Sequence, residues 1–133
     1  MSNANIVRNN PVYAITPNET HVDKEGYGVV MSSGKAAICT SASVHPYGVI
    51  LNGEATTGKS SVMCFTGNPA PVRVKLDGTP GTVVQGTLLA ITATGTFIAD
   101  ATSGARVLCA QAQESGAADE LISATLFKPV SLS

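Results

Sequence analysis

Apolar residues in this chain come in short alternations and brief runs, cut off repeatedly by glycine, proline, serine and threonine. The clearest case is Val72-Arg73-Val74-Lys75-Leu76, where apolar and charged positions alternate with the period of a strand. Its Val72, Val74 and Leu76 are expected to face inward, with Arg73 and Lys75 outward. Ile122, Ala124 and Leu126 form a matching inward row in Glu120–Phe127. The same pattern predicts strands over Tyr27–Met31, Lys35–Cys39, Tyr47–Leu51, Ser60–Phe65, Thr82–Val84, Thr87–Thr92, Thr96–Ala99 and Arg106–Ala110. Ser32-Ser33-Gly34 reads as a hairpin connection, and Asp77-Gly78-Thr79-Pro80-Gly81 as a turn. Loops at Asp100–Gly104 and Gln113–Asp119 have room for one helical turn each and no more. Short strands at this spacing, with little helix, predict an all-β fold: a compact small β-barrel or sandwich.

Residues 1 to 25 differ from the rest. They are rich in asparagine and show no sustained period, yet carry Ile6, Val7, Val12, Tyr13 and Ile15. That is too apolar for a solubilising tail and too scattered for a core. Two readings follow: an extended arm that orders on a partner, or an ordinary terminus with one edge strand. The decomposition is an N-terminal arm over 1–25 and a β domain over 26–133.

An internal echo runs through the β domain. Ser33-Gly34-Lys35-Ala36-Ala37-Ile38 resembles Thr94-Gly95-Thr96-Phe97-Ile98-Ala99. Each is followed by a small-residue loop, an apolar strand (Gly48–Leu51 or Arg106–Cys109), a glycine turn (Gly58 or Gly116) and a last apolar strand. Two similar halves of one structure would give this order.

Composition narrows the function. A chain of 133 residues is one domain able to bury a core without staples. Its net charge of −1 gives no attraction to nucleic acid or an anionic membrane. Charged residues make up 13%, so few charges solvate the surface and neighbours are expected to cover part of it. Gly78–Ala99 has no charge, but Pro80 and its glycines and threonines break it well short of a membrane-spanning helix. With no Trp, three Tyr and three Phe, an aliphatic core is expected. Cys39, Cys64 and Cys109 each lie in apolar runs without metal-binding spacing, and read as buried free thiols in a reducing compartment. The N-terminus shows no secretory signal, so Asn18-Glu19-Thr20 carries no weight as a glycosylation site.

Gly53-Glu54-Ala55-Thr56-Thr57-Gly58-Lys59-Ser60 satisfies the phosphate-loop consensus G-x-x-x-x-G-K-[ST]. Such a loop holds phosphates only when a helix springs from its end. Here Val62-Met63-Cys64-Phe65 is a consecutive apolar run, and Gly67 and Pro69 follow. A polar hairpin connection between two strands is the reading favoured over nucleotide binding. His21 and His45 lie in polar loops and are expected at the surface. Neither has a serine, cysteine or aspartate at a recognisable catalytic spacing. The pairs Asp23/Glu25 and Asp119/Glu120 read as solvated loop charges. No catalytic, cofactor-binding or metal-ligating set is assigned.

The double layout resembles the capsid cement, or head decoration, proteins of tailed bacteriophages. The likeness rests on Pro46-Tyr47-Gly48-Val49, the looser Gly58-Lys59-Ser60-Ser61-Val62-Met63, Gly86-Thr87-Leu88-Leu89 and the closing apolar strand Leu121–Phe127, and covers Gly26 to Phe127. It implies a non-enzymatic virion protein, made in the host cytoplasm and bound to the outer surface of the assembled capsid, often as a homotrimer. The major capsid protein is the implied partner, and Ile6, Val7, Val12 and Tyr13 are the candidate capsid contacts. The alternative class is a β-barrel module for a small ligand or carbohydrate; a nucleotide-binding protein ranks last.

Overall fold

The computed structural model describes residues 12–65 and 71–133. Ten strands form two antiparallel five-stranded sheets, with no helix among the described residues. The first sheet holds β1 (Val12–Ile15), β2 (Gly28–Ser32), β3 (Lys35–Ile38), β4 (Gly48–Asn52) and β5 (Ser60–Cys64), in the order β1-β5-β4-β2-β3. The second holds β6 (Pro71–Lys75), β7 (Leu88–Ile91), β8 (Phe97–Ala99), β9 (Arg106–Ala112) and β10 (Leu121–Leu132), in the order β6-β10-β9-β7-β8. The second sheet therefore repeats the topology of the first.

The repeat extends to single hydrogen bonds. Asn18 N to Ala36 O recurs as Asp77 N to Phe97 O, and Cys39 N to Gly28 O as Asp100 N to Leu88 O. Gly26 N to Ile50 O recurs as Gly86 N to Ala112 O, and Gly58 N to Ala55 O as Glu120 N to Ala117 O. Each sheet also curls until the chain beyond its first strand forms one parallel bridge to its last: Pro17 to Ala36, and Leu76 to Phe97. A single bridge is not a ladder, so neither sheet closes. The two halves expected from the sequence are present, as two packed sheets without the closed barrel.

Side-chain volumes compensate inside the two curls. Val29, Ala36, Ile50 and Val62 fill the first, and Leu89, Phe97, Ala112 and Ala124 hold the matching registers in the second. The second curl combines one phenylalanine with two alanines, where the first combines Ile50 and Val62 with Ala36, so large and small residues exchange places between the halves. The core is thus aliphatic around two buried aromatics, Phe65 and Phe97, and not wholly aliphatic as composition suggested. The outer face of the first sheet, with Val49 and Met63, joins the core of the second. With both its faces covered, the first sheet needs β4 and β5 to be apolar at consecutive positions.

Val72, Val74 and Leu76 are buried and Arg73 is exposed, as the alternation predicts; Ile122, Ala124 and Leu126 match them. Three sequence expectations need correction. Thr82–Val84 is no strand, because Val83 forms only an isolated bridge to Gly116. The last strand runs on past Phe127 to Leu132: Pro129 falls where the register shifts between Leu126 and Val130, a bulge that tolerates its missing N–H. The loops at Asp100–Gly104 and Gln113–Asp119 hold bends and turns but no helical turn. Of the arm expected over 1–25, the part from Val12 onward holds edge strand β1, paired with β5, and a strap that bonds to Ala36 and Glu54.

Candidate functional site

The phosphate-loop consensus lies between β4 and β5, and Ser60 begins a strand. Its amides already have partners. Gly53 N donates to Glu25 Oε2 (3.0 Å), Glu54 N to Ser60 Oγ (3.0 Å) and Gly58 N to Ala55 O (2.9 Å). A carboxylate occupies the place a phosphate would need, and no helix dipole follows. The glycine at 53 has a local reason: a Cβ there would meet the His21 carbonyl oxygen at 1.8 Å.

His21 is the main misreading among the titratable groups. Expected at the surface, it is fully buried, because the strap from Thr16 to Glu25 lies on the β4–β5 loop through His21 N to Glu54 O (2.9 Å). Both ring nitrogens lack a hydrogen-bond partner. Burial depresses its basicity below the usual imidazole range, with Lys24 adding to that and Glu19 opposing it. Val83 sits at the comparable place in the second half, bridging Gly116. His45 is exposed, as expected, with Nε2 2.7 Å from Ser131 Oγ.

Other polar groups are local braces. Thr96 donates to Asp77 Oδ1 (2.7 Å) and Thr79 N to Asp77 Oδ2 (3.1 Å), which holds Asp77 below its usual range. Thr102 N and the Arg106 guanidinium do the same for Asp100. The three cysteines are buried free thiols, and desolvation raises each of them.

One surface stands apart. An apolar groove of about 680 Å³ lies at the open end of the first half, lined by Val30, Met31, Val44, Pro46, Tyr47 and Pro129, with Thr40, Ser41, His45 and Lys128 at its polar positions. Met31, Val44 and Tyr47 are 41%, 40% and 36% exposed. The Cys64 thiol beside it, with burial, pushes the Tyr47 phenol up to about 12, and the Tyr13 phenol is near enough to add to the shift. Tyr47 therefore stays a neutral hydrogen-bonding group throughout physiological pH.

Of the four residues expected to contact a partner, Val12 and Tyr13 are exposed on β1, at 44% and 52%. Ile6 and Val7 lie outside the described residues. The sequence reading missed Met31 and Tyr47 because it placed both in strands, Tyr27–Met31 and Tyr47–Leu51, without assigning the side each faces. The strand registers match Met31 with Ile91 and Tyr47 with Cys109, exposed side chains against core positions. An ungapped alignment on the hairpin glycines Gly34 and Gly95 pairs them with Thr92 and Leu108 instead, so the sequence alone does not reveal the match. No helix is long and apolar enough to cross a membrane among the described residues. A scan against protein-family models finds no match, and a search of curated proteins finds no relative.

Proposed function

We propose that this chain is a non-enzymatic capsid cement protein that binds the outer surface of an assembled bacteriophage shell, in trimers as the resemblance implies. The observation that supports the reading is the exposed apolar surface at one end, where Met31, Val44 and Tyr47 line a groove and Tyr13 lies near Tyr47, on a chain with few charges. Contiguous exposed apolar surface of this kind marks an interaction site. A protein that binds the lattice and not the free subunit stabilises the lattice by mass action, and symmetry multiplies the effect. The test is cosedimentation with expanded shells and, separately, with unassembled capsid subunits. Binding to shells alone is expected; equal binding to both, or to neither, contradicts the reading.

A second reading, a small-ligand module, draws on the volume of the groove, which lies in the range of ligand pockets. Tyr47 is the only aromatic in its lining, a sparse platform for a sugar. Broadening of the Tyr47 ring resonances on titration with mono- and disaccharides would favour it.

A further inference from the structure

The joint between the two halves is one-sided. Gly28 N donates to Gly95 O (2.8 Å), and Lys75 N donates to Gly26 O (3.0 Å). A two-fold joint would repeat both bonds with the halves exchanged. The exchanged pairs are Leu88 with Gly34 and Thr16 with Gly86. Instead Leu88 is 39% exposed, and a Cβ at Gly34 or Gly86 would have nothing within 4 Å. The halves therefore meet head to tail, with the outer face of the first against the end of the second. One face and one end are left largely uncovered: the face of the second half, and the end of the first, which meets the other half only along an edge, at Lys128, Pro129 and Ser131 of β10.

These two surfaces have diverged in opposite directions. On the covered face of the first half lie Cys39, Val49, Leu51 and Met63. Their counterparts on the second half are Asp100, Gln111, Gln113 and Thr125. Gln113 donates to Thr125 Oγ1 (3.1 Å), Gln111 to Gly86 O (3.1 Å), and Arg106 pairs with Asp100. That face is polar across its centre, and Leu88, opposite Gln111 in register and 39% exposed, stands where the first half has Gly28. A head-to-tail joint free to repeat between copies would build an open filament, and the polar face blocks it. At the ends, Val72, Ile91 and Cys109 of the second half are buried. Their counterparts Tyr13, Met31 and Tyr47 are exposed but still apolar in bulk. Chemistry that suits burial has been kept at this end and removed from the other face.

We propose that the end of the first half, around Tyr13, Met31 and Tyr47, docks an apolar β-sheet face of a capsid subunit, in the way the end of the second half receives the first. This rests on the cement reading and adds to it which surface meets the shell and what that surface recognises. The partner presents an aliphatic sheet face with a small residue at its centre, whose N–H reaches the Gly34 carbonyl as Gly28 N–H reaches Gly95. A second copy does not fit, because its matching face carries Gln111 and Gln113, and has Leu88 where Gly28 makes the joint.

The test uses Tyr13→Lys and Met31→Lys at the open end and Gln113→Lys on the polar face, all at exposed positions where the fold survives, as a thermal melt verifies. In cosedimentation with assembled shells, Gln113→Lys binds as wild type does. Tyr13→Lys and Met31→Lys need at least tenfold more protein for half-occupancy. If they bind like wild type while Gln113→Lys loses binding, the docking surface is refuted and the cement reading stands. If wild type itself does not bind, both fall. If light scattering shows wild-type oligomers that Met31→Lys dissociates, the occupant is a second copy and the assignment to a capsid subunit is overturned.

Discussion

Substituting the two glycines of the phosphate-loop consensus separates its two possible meanings. A Cβ at residue 53 meets the His21 carbonyl oxygen at 1.8 Å and its carbon at 2.7 Å, both backbone atoms that no rotamer change can move. Gly53→Ala must therefore push the strap off the β4–β5 loop. It breaks one of His21 N to Glu54 O and Gly53 N to Glu25 Oε2, of order 1 kcal/mol net. Overpacking adds roughly 1–3 kcal/mol, so the expected loss is about 2–4 kcal/mol. An unfolding entropy of about 2.1 cal/mol/K per residue gives about 0.28 kcal/mol/K for 133 residues. The expected fall in Tm is then about 7–14 °C. At residue 58 the nearest neighbour to a Cβ is the Glu54 side chain at 3.2 Å, which can give way. Gly58→Ala should therefore change Tm by less than about 3 °C, since relief of unfolded-chain entropy offsets the mild contact. Thermal unfolding followed by circular dichroism measures both. Equal shifts, or the larger shift at residue 58, would refute the packing argument.

Three further outcomes follow from the core and its buried groups. His21 has a folded-state pKa below its unfolded value, so the unfolded chain takes up the proton first: stability is full above about pH 6.5 and falls as pH drops below it, by at most ~1.4 kcal/mol per pH unit. His21→Val, matching Val83, should remove that slope between pH 6.5 and 5 in denaturant titrations; an unchanged slope would place the titrating group elsewhere. Phe97→Ala should cost about 3–5 kcal/mol, because the ring is fully buried and its loss leaves a cavity in the core, while Phe127→Ala, half-buried on the second sheet, should cost clearly less. Cys39, Cys64 and Cys109 should react with a thiol reagent only as fast as the chain opens, so labelling in increasing denaturant should follow the unfolding curve; fast native labelling would contradict their burial.

Much of the fold was legible because apolar alternation reports burial on one side of a strand, as in β6 and β10. The repeat was visible only as an echo of hairpin glycines, since the halves fill their curls with different residues: Phe97 at the position of Ala36, Ala112 at that of Ile50. β10 was read short because Lys128-Pro129 looks like a stop, and only a bulge lets a strand pass through it. His21 was misplaced because its burial depends on a contact with Gly53, distant in sequence, which no local pattern encodes. The candidate site was half visible. Val12 and Tyr13 stood out as apolar residues outside any core pattern, whereas Met31 and Tyr47 lie in predicted strands, and only the strand registers set them against Ile91 and Cys109.

The most direct measurement is a cryo-electron microscopy reconstruction of shells saturated with this protein. The account predicts density between the shell and the end of the first half, with Tyr13, Met31 and Tyr47 covered and the Gln111–Thr125 surface facing solvent. A reconstruction with Gln111 and Thr125 against the shell and Met31 in open solvent, or shells bare of the protein at saturating concentration, would contradict it.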